Sequence, residues 1–170
     1  MRRKDREIKG PADIVAIIRA ADSCRLGLID DSGAKPAPYI VALSFGFEPG
    51  PGGIPAGTFW FHCAREGLKL DLLRRQPDVC VQLDTEHEPT INGLGCGWGM
   101  RYASVVARGH ASIVEDPDLR RHGLDCLMAH YERLWGVPEG ARPGEYNEQI
   151  VARTTVFRVD VDSVTAKRRA

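Results

Sequence analysis

The chain lacks a surplus of charge of either sign: 23 Lys and Arg face 23 Asp and Glu, and the formal net charge is zero. A balanced surface offers no overall field to draw in nucleic acid or an anionic membrane, and neither is expected as a partner. The chain also lacks any apolar run approaching the roughly 20 residues of a membrane span. Its basic N-terminus, Met1-Arg2-Arg3-Lys4-Asp5-Arg6-Glu7, has no apolar stretch behind it of the kind a secretory signal needs, so a cytoplasmic protein is expected. There is no Cys-x-x-Cys. The five cysteines, at 24, 63, 80, 96 and 126, write neither a zinc knuckle nor a redox pair. Their odd number argues against a complete disulfide framework and for free thiols. A phosphate loop of the GxxxxGK[ST] type is missing. The alternate glycines from Gly93 do not make a dinucleotide motif, because the third glycine position falls on Trp98 and a strand follows.

What is present suits one domain over residues 1–170, with residues 1–10 as a flexible basic arm. Gly10-Pro11 starts a helix carrying Ile14, Ile17, Ile18 and Ala21 on one face. Cys24, Leu26 and Leu28, then Tyr39, Val41, Leu43 and Phe45, alternate around Asp30-Asp31-Ser32-Gly33 as a hairpin with a longer loop. The Pro- and Gly-rich segment Glu48–Gly57 is expected to be a loop. Strand signals cover Thr58–Cys63, Val79–Leu83, Tyr102–Val114 and Phe157–Val161; Asp84–Gly99 and Val137–Glu148 read as connections. A short helix is expected over Gly67–Arg75. A longer one starts at Asp116-Pro117, with Leu124, Leu127, Met128, Tyr131, Leu134 and Trp135 as its apolar face. Six strands and about three helices, without regular strand–helix alternation, point to a mainly β fold: an antiparallel sheet closed into a small barrel.

The segments Cys24–Ile29, Tyr39–Phe47 (YIVALSFGF), Phe59-Trp-Phe-His-Cys-Ala64, Gly67–Leu73 (GLKLDLL), Trp98–Val105, Gly109-His-Ala111 and Thr165-Ala-Lys167 resemble, in this order and spacing, the pyridoxamine 5′-phosphate oxidase-like superfamily. The similarity is strongest to its NimA-like, 5-nitroimidazole resistance-related flavoproteins. The resemblance implies a six-stranded antiparallel split β-barrel that binds FMN, as a homodimer with two sites at the subunit interface. Tyr39, Ile40, Val41, Leu43 and Ser44 match the strand that lines the flavin ring. The turn from His62 and Cys63 to Lys69 matches the phosphate site, where free N–H groups and a lysine suit a dianion. Superfamily members often carry Ser where this chain has Gly67. Arg101 and Ser104 lie nearest the segment that contributes a further cofactor contact, and Trp98 could stack on flavin or cover a barrel end. The family's terminal Thr-Gly-Lys is Thr165-Ala166-Lys167 here.

His62 is the candidate catalytic residue, since imidazole titrates near neutral pH beside the expected ring. The activity implied is that of an oxidoreductase reducing a small flat substrate such as a nitroimidazole, with NAD(P)H as a possible donor. The alternatives are a flavin-, haem- or deazaflavin-binding protein without turnover, and a structural dimer with a vestigial pocket. His122, Cys126 and His130, at i, i+4 and i+8, could hold a metal, but the sequence shows no carboxylate to complete the set, and no metal is expected. Cys63 and Cys96 read as small apolar fillers.

Overall fold

The computed structural model describes residues 3–51, 53–138, 141 and 146–169, with backbone alone for residues 53–56. Helix α1 (Pro11–Ala20) begins at Gly10 with Pro11 in its first position and buries Ile14, Ile17 and Ile18. Strands β2 (Cys24–Asp30) and β3 (Ala37–Leu43) form the expected hairpin, with Leu26 opposite Val41. Then follow β4 (Gly46–Gly50), β5 (Gly53–Ala64), α2 (Leu68–Arg75), β6 (Asp78–Thr90) and β7 (Gly99–Val114). The chain ends through α3 (Pro117–Trp135), the short α4 (Glu148–Ala152) and β8 (Thr154–Arg169).

All strand pairs are antiparallel, in the order β3-β2-β6-β7-β8-β5-β4. The two edge strands are consecutive in the chain, joined only by Ser44 and Phe45. Two residues span about 7 Å at most, so the sheet must curl until its edges meet at that corner. The edges meet without pairing with each other, which makes the barrel split. Alternation sends Phe59 and Phe61 of β5 inward, where Phe61 stacks on Phe157 with ring centroids 4.8 Å apart. The outward residue Trp60 joins Val114 and Val156 in a second cluster beneath α3.

The expected class holds, but among the described residues the sheet has eight strands and there are four α-helices. The additions have local causes. Glu48–Gly57 is mostly strand rather than loop: β4 is an edge strand, so Pro49 forfeits no ladder bond on its open side, and a register shift lies between Glu48 and Gly50. Asp84–Thr90 continues β6 instead of looping, because β7 extends beside it with Glu88 opposite Arg101. Asn147 accepts from the N–H groups of Gln149 and Ile150 and starts α4. Of the N-terminal arm expected to be flexible, Glu7–Ile8 forms β1 on β8. The apolar face of α3 is corrected too: Gly123, Leu127 and His130 are buried, whereas Met128 and Trp135 are exposed. No helix of the described residues is long and apolar enough to cross a membrane.

Helix α3 lies close upon β4 at Gly46. A Cβ there would lie 2.5 Å from the Leu127 nitrogen and 2.6 Å from the Cys126 carbonyl carbon. Both are backbone atoms of a helix and cannot turn aside. Gly46→Ala is therefore expected to cost about 1–3 kcal/mol by overpacking, lowering the thermal midpoint by roughly 3–10 °C. An unchanged midpoint in a calorimetric scan would refute this contact.

Candidate functional site

Four segments enclose a cavity of about 470 Å³: the α1–β2 connection, the β3–β4 corner, β5 and the C-terminal half of α3. Ser44 enters from the corner and His62 from the outward face of β5; Met128, Tyr131 and Trp135 enter from α3. The helix is pinned at this level. His130 Nε2 donates to the Ala21 carbonyl at 2.9 Å, and the Tyr131 hydroxyl donates to the Asp22 carbonyl at 2.8 Å. That hydroxyl also accepts from the Phe45 N–H at 3.3 Å. One phenol thus ties α3 both to the corner that closes the barrel and to the segment after α1.

His62 opens on the cavity, yet desolvation of its ring, and secondarily the Lys69 ammonium, lower its pKa below the ordinary value. It is therefore neutral at neutral pH. The same burial raises the Cys63 thiol, Lys69 opposing, so Cys63 is not a ready thiolate. Its side chain packs against the barrel core. Lys69 lies in the first turn of α2, its Nζ 5.5 Å from the Phe157 ring centroid. The first helical bonds are donated by Leu70 and Asp71 to the Gly67 carbonyl, leaving the Leu68 and Lys69 N–H groups ahead of them. Gly67 has φ +134° and ψ 159°, a region essentially restricted to glycine, and a Cβ there would meet open space. The absence of the family's serine follows from that backbone: a side chain would fit, but its φ would be strained.

Strand β3 presents Tyr39, Val41 and Leu43 half-buried against the core, and Ile40 outward, 67% exposed. Among the described residues it pairs with β2 alone, so one row of its backbone groups stays open. The remaining expected residues do not join His62 within one chain. Arg101 forms an ion pair with Glu88 at 3.1 Å, far out on the β6–β7 arm. His62 pairs with Val156, and Val156 with Val114, so roughly 40 Å of strand separates Arg101 from that level. Trp98 is exposed on the same arm, and Ser104 is buried between Asp84 and Lys167. Tyr131, Met128 and Trp135 are the site residues sequence reasoning assigned to the core. Their apolar helical spacing is the same signal whether a face meets a core or a cavity. A larger groove, about 590 Å³, runs past Gly27, Cys80 and Arg108 and carries none of the expected residues. The His122, Cys126 and His130 stripe is divided: His130 is buried on Ala21, whereas His122 Nε2 meets Glu48 Oε2 at 3.0 Å.

A split antiparallel barrel with its cavity at the closing corner defines a class, and the comparisons place the chain within it. Residues 11–168 match the pyridoxamine 5′-phosphate oxidase family, and the chain belongs to that family. A candidate 5-nitroimidazole antibiotic resistance protein of Bacteroides thetaiotaomicron is 30% identical, covering 95% of this chain and 86% of that one, with a TM-score of 0.76. This supports the 5-nitroimidazole resistance-related branch. A flavocytochrome of Azotobacter vinelandii is 17% identical over 100% and 72% of the two chains, TM-score 0.74. An FAD- and haem-binding protein of Mycobacterium smegmatis is 14% identical over 96% and 73%, TM-score 0.75. These two share the fold. Among curated proteins, none matches.

The charge beside His62 is testable by titration. An NMR titration should place the His62 midpoint below that of an ordinary histidine, and Lys69→Met should raise it. The sign follows from removing a cation that disfavours protonation. A midpoint that is normal in the parent, or unmoved in the variant, contradicts the assigned surroundings.

Proposed function

We propose that this chain binds FMN and acts as an oxidoreductase on a small flat substrate of the nitroimidazole kind. The observation that carries the reading is the convergence of Ser44 and His62 on one cavity, with the lysine-bearing start of α2 beyond β5. The donor set fits the cofactor. The Leu68 and Lys69 N–H groups, the Lys69 ammonium and the open space over Gly67 suit a phosphate dianion. The unpaired edge of β3, from Tyr39 to Leu43, offers backbone donors and acceptors to the polar rim of a flavin. Bound flavin supplies the electron chemistry, with NAD(P)H as a possible source of electrons. The protein's residues bind, orient and exclude water. Tyr131, Met128 and Trp135 give the cavity an apolar wall for a planar ring. His62, neutral, accepts a hydrogen bond or a proton at its free ring nitrogen. The description of the Bacteroides protein, 30% identical, favours a nitroimidazole as the substrate class.

A second reading is a haem- or flavin-holding protein without turnover. It is favoured by His62 and Met128 sharing the cavity, since both side chains ligate haem iron. The visible spectrum of purified protein with each cofactor separates the two. Flavin bands, loss of FMN affinity by at least about tenfold in Lys69→Ala, and anaerobic reoxidation by nitroaromatics faster than free FMN are expected. Reoxidation no faster than free FMN favours the second reading. A protein that takes up neither cofactor refutes both.

The site is completed by a second copy in this proposal. Exposed Ile40 on β3, and Ile91, Leu94 and Trp98 on the β6–β7 arm, are large apolar side chains without cover in one chain. An arm crossing to the neighbour would bring Trp98 and Arg101 to the cavity they cannot reach at home. Light scattering should give twice the 18.7 kDa chain mass, and Ile40→Glu should shift the species toward monomer. A monomeric parent overturns this arrangement.

A further inference from the structure

On the flank of α3 that faces β4, apart from the residues that line the cavity, β4 delivers what the helix lacks. Glu48 Oε2 lies 3.0 Å from His122 Nε2, and Cys126 Sγ lies 3.5 Å from the same nitrogen. The three ligand atoms fall within 4.8 Å of one another. A carboxylate, an imidazole nitrogen and a thiol thus converge from two elements separated by more than seventy residues. The convergence is held by the fold. His122 and Cys126 share a face at i, i+4 on a helix whose backbone rests on Gly46, two residues before Glu48. The His122 ring also sits edge-on to the buried Trp60, ring centroids 5.3 Å apart, which limits its swing.

We propose that Glu48, His122 and Cys126 form a site for one zinc-class divalent cation. The donor types are those zinc takes, and three protein ligands leave a fourth position for water. Tetrahedral bonds of about 2.0–2.3 Å require ligand atoms roughly 3.3–3.7 Å apart. The nitrogen–sulfur pair, at 3.5 Å, is already in that range, the nitrogen–oxygen pair, at 3.0 Å, needs a slight opening, and the oxygen–sulfur pair lies within 4.8 Å. On binding, the Cys126 thiol proton leaves to solvent and the His122 ring carries its remaining proton on Nδ1. Glutamate and thiolate then balance the two positive charges of the ion. The consequence is a clamp between β4 and α3, on the helix whose next turns line the cavity.

The test uses tag-free full-length protein, stripped with chelator and dialysed against Zn²⁺. One zinc per chain by elemental analysis is expected, with a rise in thermal midpoint as zinc increases. Cys126→Ser and His122→Gln should each weaken binding at least about tenfold. Zinc should also protect Cys126, and not Cys96, from alkylation, read by peptide mass mapping. Cys126→Ser is close in shape, and circular dichroism of the metal-free variants checks that they fold. The alkylation pattern of the parent protein stands apart from folding of any variant. Absence of stoichiometric zinc, or zinc that binds equally well to both variants, or protection that is uniform over the thiols, overturns the proposal and leaves a hydrogen-bond network only.

Discussion

Everything in this molecule depends on a connection two residues long. Ser44 and Phe45 carry the chain from one edge of an eight-stranded sheet to the other. That reach forces curvature, and the curvature makes an interior for Phe59, Phe61 and Phe157. The same corner presents Ser44 outward and Phe45 inward, one to the cavity and one to the core. Fixing it in place falls to Tyr131 and to the glycine that lets α3 lie on β4. Barrel closure and cavity formation are therefore one event.

Sequence reasoning reached the parts governed by local periodicity. The alternation through β5 and β7, the start of α1 at Gly10-Pro11 and the cap at Asp116 all register in short windows. The pairing of β4 with β5 does not, because Pro and Gly lower strand propensity while an edge position tolerates them. The long ends of β6 and β7 carry no such local signal either. Past a bulge where Glu86 takes φ +61°, Glu88, Pro89 and Thr90 hold strand geometry by pairing with Arg101, Met100 and Gly99 rather than through their own preference.

At the site, His62 and Lys69 were reachable through the family resemblance, and the reason for Gly67 only through its backbone angles. Trp98, Arg101 and Ser104 illustrate a different limit. Similarity assigns them to one site with His62, whereas the length of β7 separates the arm from the cavity of the same chain. Glu48 shows the converse. Its partners are invisible in sequence because they come from a helix more than seventy residues away.

The C-terminal half of α3 divides its duties by angle around the axis. His130 and Tyr131 are tied by hydrogen bonds to the main chain of other elements, and Leu127 is buried. Met128 and Trp135, interleaved with them, face the cavity and lie largely exposed. Replacing Met128 changes the shape of the cavity wall and leaves these bonds in place, whereas Trp135 also packs on the Tyr131 ring, centroids 4.9 Å apart. The helix is thus a keyed bolt whose shank is constrained and whose bit is free to be recut. The shape of the cavity can therefore be altered at position 128 at little expense to the barrel.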